Sequence, residues 1–400
     1  MFSKIFFKAL IIILIIFSLL SFFSSFYLNE DFFISKSSDG KLHNETIKKI
    51  HTFQSLLLIL GTFSVFLILI FLLFTKSIKL FLDKYKAILQ NLLLVLIVIT
   101  IFILLGEIIA RIILQEQFSS GSHGIGALNF YSKISLNNDG MRDRDFTLKK
   151  PDETLRIAVI GDSVTFGWGV EDVNDTYPKL LEKRLNELTD INYEVLNFGD
   201  PDADTGDELI ILKEKALRYD LDILIVGYHV NDFKNVDNEN VEKSFYLSIP
   251  YIGFILRSSS YLYYFFETRV NHILENIFDD PYLTKLNKRF ESKVNLEYNK
   301  GIFREIAKIA EENQMQVLIT NFPVLYKLDD YPITNSNEFV KEIADENNFY
   351  FIDILETFKN YDANMLIVNK YDDMHPNEFG HEIISNILYE NMKNFTLKHK

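Results

Sequence analysis

Arg156-Ile157-Ala158-Val159-Ile160-Gly161-Asp162-Ser163-Val164-Thr165-Phe166-Gly167 is the stretch on which the reading of this chain turns. Its first five residues, Arg156 and the apolar run Ile157 to Ile160, end at a glycine, the pattern of a buried strand. Gly161, Gly167 and Gly169 then mark a turn, and Ser163 falls inside it, three residues beyond the strand. A helix is expected from about Tyr177 to Leu188, with Leu180, Leu181, Leu185 and Leu188 on one face. Strand, glycine turn and helix in that order build a parallel sheet, and such sheets hold their ligands at the carboxyl ends of the strands.

Toward the carboxyl terminus the same alternation continues. Strands are expected at Glu194 to Leu196, Ile223 to Val226, Val317 to Thr320 and Tyr350 to Ile352. Helices are expected at Glu208 to Arg218, at about 296 to 312, near Glu338 to Glu346, and from Glu378 to about Lys393. The fold class is therefore α/β, a mostly parallel sheet with helices on both faces. One stretch breaks the pattern, from about Phe233 to Val294. It carries the cluster Tyr261-Leu262-Tyr263-Tyr264-Phe265-Phe266 and a long helix around Val270 to Phe278. Helical packing on the core is the expected fate of this insert, ahead of a lid or a membrane-touching surface.

Toward the amino terminus the character changes. Three apolar runs at 9–28, 53–75 and 88–114 are each near or above the roughly 20 residues that span a bilayer as a helix. Lys4 and Lys8 precede the first run as they would in a secretory signal, but it is long and lacks small residues framing a cleavage site. The segment from Lys76 to Lys86 holds four lysines against one acid, which marks it as cytoplasmic. Three transmembrane helices then place the amino terminus inside and everything beyond about residue 115 on the extracytoplasmic side. Glu107 and Arg111 share one face of the third run, where an arginine can snorkel to the interface. They are assigned no chemistry. The division expected is a membrane region at 1–114, a Ser-, Gly- and Asn-rich linker at 115–153 that includes Gly121 to Gly126, and a globular domain at 154–400 with its insert at about 233–294.

Composition removes several function classes. The chain has no cysteine, which excludes disulfides, thiolate catalysis and cysteine-ligated zinc. A formal net charge of -14 argues against nucleic acid, whose phosphates need clustered Lys and Arg.

Four separated segments supply chemistry: Gly161-Asp162-Ser163, Asn197-Phe198-Gly199, Asn231-Asp232 and Asp372-Asp373-Met374-His375. A serine hydroxyl attacks only when a base takes its proton, and a strand-to-helix turn exposes it while aiming backbone N–H groups at the site. Asp162 and Thr165 can fix that turn. His375 is the candidate base and Asp372 its orienter, with Asp373 competing as orienter and His381 competing as base. His381, inside the final helix, reads better as a surface or packing histidine. His229 can line the pocket, and Asn231 offers an amide N–H to a developing oxyanion.

Together with Gly140-Met141-Arg142-Asp143-Arg144 as a lead-in, and with Pro376-Asn377 after His375, these blocks resemble the SGNH (GDSL-type) hydrolases of the membrane-anchored bacterial type over about residues 138 to 395. The resemblance implies a three-layer α/β/α flavodoxin-like SGNH hydrolase domain, here preceded by three transmembrane helices. It further implies Ser163 as nucleophile, His375 as base and Asp372 as its partner, with no cofactor and no metal. The oxyanion hole would be drawn from Ser163, Gly199, Asp202 and Asn231. Members of the family usually carry a second glycine three residues after the one matching Gly199, and its N–H is the donor; here Asp202 stands there, with Asp200 and Asp204 beside it.

The expected function is a membrane-anchored serine esterase that hydrolyses an O-acyl ester through an acyl-enzyme on Ser163. Its substrate would be an acylated carbohydrate or other ester, on an envelope glycan or glycoconjugate, and its other partner the lipid bilayer. Acyl transfer with the same triad, and a silent domain that binds envelope glycan, are the alternatives.

Overall fold

A computed structural model of the chain describes residues 2–27, 44–114, 130, 133–236, 256, 260–278, 286–369 and 372–396. The Gly121 to Gly126 stretch of the expected linker and much of the expected insert lie outside the described residues. The chain forms two compact units, Met1–Ile113 with Ser248–Tyr263, and Leu114–Leu247 with Tyr264–Lys400.

In the first unit, α1 (Phe2–Tyr27), α2 (Asn44–Leu73), α3 (Thr75–Lys84) and α4 (Lys86–Leu114) follow one another. Among the described residues two helices are long and apolar enough to cross a bilayer, Phe7–Phe26 and Lys86–Ile113. Of the three helices expected, the first and third are of this kind, and the middle run is broken. There Leu57–Leu73 and Thr75–Lys84 form a pair bent by 87°, which makes a third span only if the pair counts as one. At the break Thr75 Oγ1 turns back to the carbonyls of Phe71 and Leu72, at 3.0 and 2.8 Å. Beyond it the residues turn polar, and α3 alternates lysines with Ile78, Leu80, Phe81 and Leu82.

The second unit is built on five parallel strands, β1 (Thr154–Gly161), β2 (Asn192–Gly199), β3 (Ile223–His229), β4 (Gln316–Phe322) and β5 (Tyr350–Asp353). They lie in the order β2-β1-β3-β4-β5. The direction of winding reverses between β1 and β3, and a crevice opens at their carboxyl ends. Strand periodicity divides the side chains between two cores. Ala158, Ile160, Leu224 and Val226 pack with α7 (Thr205–Glu214), α9 (Lys293–Glu312) and α10 (Thr334–Asn347). Ile157, Val159, Ile223 and Ile225 pack with α6 (Tyr177–Leu188) and α12 (Glu378–Thr396) on the other face. The result is three layers, α/β/α. The remaining helices are α5 (Ser163–Phe166), α8 (Tyr261–Phe278) and α11 (Leu355–Phe358).

Two features depart from the expectations. Asp372–Pro376 is a strand, β7, paired antiparallel with β6 (Ile367–Asn369), where a tight turn was expected before His375. Each strand is too short to show a period. The lead-in, assigned to the linker, is packed into the second unit. Met141 and Arg142 are buried, and the Arg142 guanidinium donates to the carbonyls of Phe166, Gly167, Val170 and Glu171. Sequence placed a tether here because the composition is polar, yet one arginine satisfying four carbonyls orders such a segment.

Candidate active site

The site grows from a row of three glycines. Gly161, Gly199 and Gly227 are in register at the carboxyl ends of β1, β2 and β3. A Cβ on Gly161 or Gly227 would meet Thr165 Oγ1, and one on Gly199 would meet the Phe166 backbone nitrogen. The bare row therefore lets the short helix α5 rest directly on the sheet. Asp162 caps that helix, its Oδ1 accepting from Val164 N at 2.8 Å. Thr165, expected to help fix the turn, instead bonds the Tyr177 hydroxyl at 2.7 Å. Gly167 ends α5 in the left-handed region, at φ 80°.

Ser163 lies at the first position of α5, where helix geometry leaves the backbone N–H without an intrahelical acceptor. Its Oγ is 2.8 Å from His375 Nε2, and His375 Nδ1 is 2.7 Å from Asp372 Oδ1. Asp372 Oδ1 also accepts from the backbone N–H groups of Met374 and His375, both at 3.2 Å. The carboxylate thus holds the ring and the chain that carries it. Among the described residues no hydrogen bond joins Asp373 to the ring, and its backbone carbonyl accepts from Leu325 N at 2.6 Å. Burial alone would lower the His375 pKa, but the charge and hydrogen bond of Asp372, with Asp162 and Asp202 behind them, raise it above its ordinary value. The indole of Trp168 lies 6.1 Å from the imidazole.

Asn231 follows β3 and reaches the same place. Its Nδ2 donates to Asp162 Oδ2 at 3.1 Å, and Ser163 Oγ is 3.3 Å from that same oxygen. A carboxylate only accepts, so it fixes which end of the amide points to it. The amide oxygen is turned to His229 Nδ1. His229 is fully buried, which lowers its pKa and keeps it neutral. His381 is fully buried as well, and so is a packing residue and not a surface one. Its Nδ1 accepts from Tyr177 N at 3.1 Å, and burial lowers its pKa to about 3.

The second block is rearranged relative to expectation. The Gly199 N–H is committed to Asn197 Oδ1 at 2.9 Å, so Gly199 contributes clearance for α5 and no free donor. The turn Asp200-Pro201-Asp202-Ala203 closes with Ala203 N to Asp200 O at 3.1 Å. Proline holds φ negative at its second position and Asp202 has φ 67° at its third, the pattern of a type II turn, in which glycine is preferred at the third position. Asp202 keeps the backbone N–H of that position. Asp204, by contrast, is spent as the cap of α7 and is paired with Lys234.

Sequence reading missed two buried carboxyls beneath the site. Glu208 and Asp232 are fully buried, and among the described residues both Glu208 oxygens and Asp232 Oδ1 have no hydrogen-bond partner. Burial first, then the charge of Asp162, raises both pKa values well above the carboxylate range. The local negative charge is therefore smaller than the count of acids. Glu208 showed only as one polar residue in an amphipathic helix, and nothing in its neighbours along the chain signals its burial.

Beside the site, at the carboxyl ends of β4 and β5, is a cavity of about 1130 Å³. It meets the site at Asp373, whose carboxyl is raised by burial and stands within electrostatic reach of His229 and His375. Tyr264, Tyr326 and Tyr361 contribute rings to its wall, and Arg269, Lys327 and Asp329 contribute charges of both signs.

The model of the GDSL-like lipase/acylhydrolase family matches residues 159–383, more than half of the chain. The chain belongs to that family. The match spans Ser163, Asn231, Asp372 and His375 and stops short of the four amino-terminal helices. No curated protein matches the chain. Solved structures similar to this GDSL-like protein include the acetyl xylan esterase AlAXEase, at 15% identity and a TM-score of 0.38, over 59% of this chain and 99% of that one. A lipase/acylhydrolase from Enterococcus faecalis is similar at 17% identity and a TM-score of 0.37, over 60% and 96% of the two chains. TesA is similar at 14% identity and a TM-score of 0.39, over 60% and 98%.

Proposed function

We propose that this GDSL-like protein is a membrane-anchored serine esterase that removes an O-acyl group from a glycan through an acyl-enzyme on Ser163. The observation that carries the proposal is the unbroken relay from Ser163 Oγ through His375 to Asp372, at 2.8 and 2.7 Å. As Oγ attacks the ester carbonyl, His375 Nε2 takes its proton, while Asp372 holds Nδ1–H and stabilises the imidazolium. The oxyanion is met by the N–H groups of Ser163 and Asp202 and by the Asn231 amide, which Asp162 and His229 orient. Collapse expels the alcohol, which takes the proton from His375. Water then attacks the acyl-enzyme with His375 again as base.

The glycan part of the reading is supported by the cavity at Asp373. Tyrosine faces suit the C–H side of sugar rings, and its near-balanced charges suit hydroxyls better than an acyl chain or a phosphate. Its volume exceeds the roughly 300–1,000 Å³ of small-molecule sites, which favours an oligomeric alcohol. For the anchoring we take α1, the Leu57–Leu73 limb of the bent pair and α4 as three crossings, with the other limb, α3, and its lysines at the cytoplasmic face. The hydrolase unit is then extracytoplasmic, where an envelope glycan is met.

The test is the detergent-solubilised full chain beside Ser163→Ala on an aryl acetate and on a partially O-acetylated oligosaccharide, with fluorophosphonate labelling. Turnover of both esters and labelling of the unsubstituted chain alone are expected. Equal rates for the two proteins would end the esterase reading and favour a silent binding domain.

A further inference from the structure

The amino-terminal end of α8 is held by a residue of a membrane helix. Glu107, in the penultimate turns of α4, accepts from Ser260 Oγ at 2.7 Å, from Tyr261 N at 3.1 Å and from Leu262 N at 3.0 Å. Ser260 Oγ in turn accepts from Tyr263 N at 3.1 Å. The first N–H groups of α8 are thus satisfied by a carboxylate lodged in an apolar helix, the favourable pole of the helix dipole for a negative charge. Arg111 bonds the other side of Glu107 at 2.8 Å and lies 5.1 Å from the centre of the Tyr261 ring. At Gly106 the absent side chain leaves room for Leu262. What reads in sequence as a snorkelling ion pair is a built joint between segments some 150 residues apart.

From this joint we infer that the first turns of α8 are seated in the bilayer interface, with Phe266 against lipid; the inference rests on the reading of α4 as a span. The depth follows from helix geometry. The apolar stretch Lys86–Ile113 has 28 residues, about 42 Å against a hydrocarbon core of about 30 Å, so about 6 Å projects at each end. Glu107 precedes Ile113 by six residues, about 9 Å, and so sits about 3 Å inside the core boundary. Tyr261 is bonded to it. Phe266 follows five residues later, at most about 7.5 Å along the helix, and cannot leave the interfacial layer whatever the tilt of α8.

The chemistry of the segment fits that place. Phe266 is 56% exposed and Ile273, two turns on along the same face, is 55% exposed, an apolar stripe that water disfavours. Tyr261 and Tyr263 are residues of the kind that form aromatic belts at the headgroup level. Continuity with α4 selects the bilayer as occupant over a second copy of the chain.

The experiment places single tryptophans in the full chain, reconstituted in vesicles of phosphatidylcholine with brominated acyl chains. The signal of the native Trp168 is subtracted using the unsubstituted protein. Phe266→Trp is expected to lose about half or more of its emission and to shift to the blue, while Tyr298→Trp, exposed on α9, keeps its emission. Leu104→Trp in α4 reports on the span itself. Quenching at Leu104→Trp with Phe266→Trp quenched no more than Tyr298→Trp overturns the seating and leaves the anchor standing. No quenching at Leu104→Trp overturns both. Adding Glu107→Leu to Phe266→Trp should abolish its quenching while Leu104→Trp keeps its own; quenching that persists assigns the contact to general hydrophobicity and overturns the joint.

Discussion

Replacing Glu208 by Gln should change how stability depends on pH. In the fold the Glu208 carboxyl is fully buried, has no hydrogen-bond partner among the described residues and faces Asp162, Asp204 and Asp207, all of which favour its neutral form. Its pKa is raised above the ordinary 4.5, so the native state keeps a proton that the unfolded chain releases above pH 4.5. The unfolded state then binds fewer protons, and stability falls as pH rises from 4.5 toward the folded pKa, by about 1.4 kcal/mol per pH unit for one such group. The amide introduced by Glu208→Gln has no proton to release, so that variant lacks this slope. A buried amide still wants partners, at a cost of about 1–3 kcal/mol, but that cost does not vary with pH. The difference between the two proteins should therefore move in favour of Glu208→Gln as pH rises from 5 toward the folded pKa, with a limiting slope of about 1.4 kcal/mol per pH unit. Urea unfolding of the solubilised full chain, followed through its single tryptophan, Trp168, measures it, since that indole is buried beside His375. Equal slopes for the two proteins over that range would refute the placement of Glu208 as a neutral buried acid.

Two further outcomes follow from the relay. His375 must be neutral to take the serine proton, and its pKa lies above 6.5, so the acidic limb of kcat/KM should fall above pH 6.5. Asp372→Asn leaves burial without its main opposing charge, which moves the limb to lower pH, with a rate loss of roughly 10⁴-fold; an unmoved limb counts against the assignment. Asn231→Ala should lower kcat by about 10²- to 10³-fold with little change in KM, because it removes a donor aimed at the transition state. A pure KM effect in steady-state assays would instead make Asn231 a binding residue.

The nucleophile turn was legible in sequence because its signals are local. A strand that needs burial, a glycine that admits no side chain and a serine in the turn occur within twelve consecutive residues. The β6–β7 pairing was not legible, since three residues against five carry no period and the pairing is settled by the partner strand. The second block shows both sides. Gly199 was noticed, but its purpose, clearance for Phe166, appears only when β2 lies beside β1. Likewise, a hydropathy run passes over the bend between Leu73 and Thr75.

By itself the sequence determined an α/β domain with Ser163 at the end of its first strand, because period, turn residues and apolar runs act over a few residues and need no partner. Tertiary structure alone decided that Asp372 bonds His375, that Asp162 and His229 aim the Asn231 amide, that Glu208 is fully buried, and that Glu107 caps a helix beginning with Tyr261. Each of these depends on the field, the burial or the free donors that distant segments bring to one point, and such quantities exist only once the chain has closed on itself.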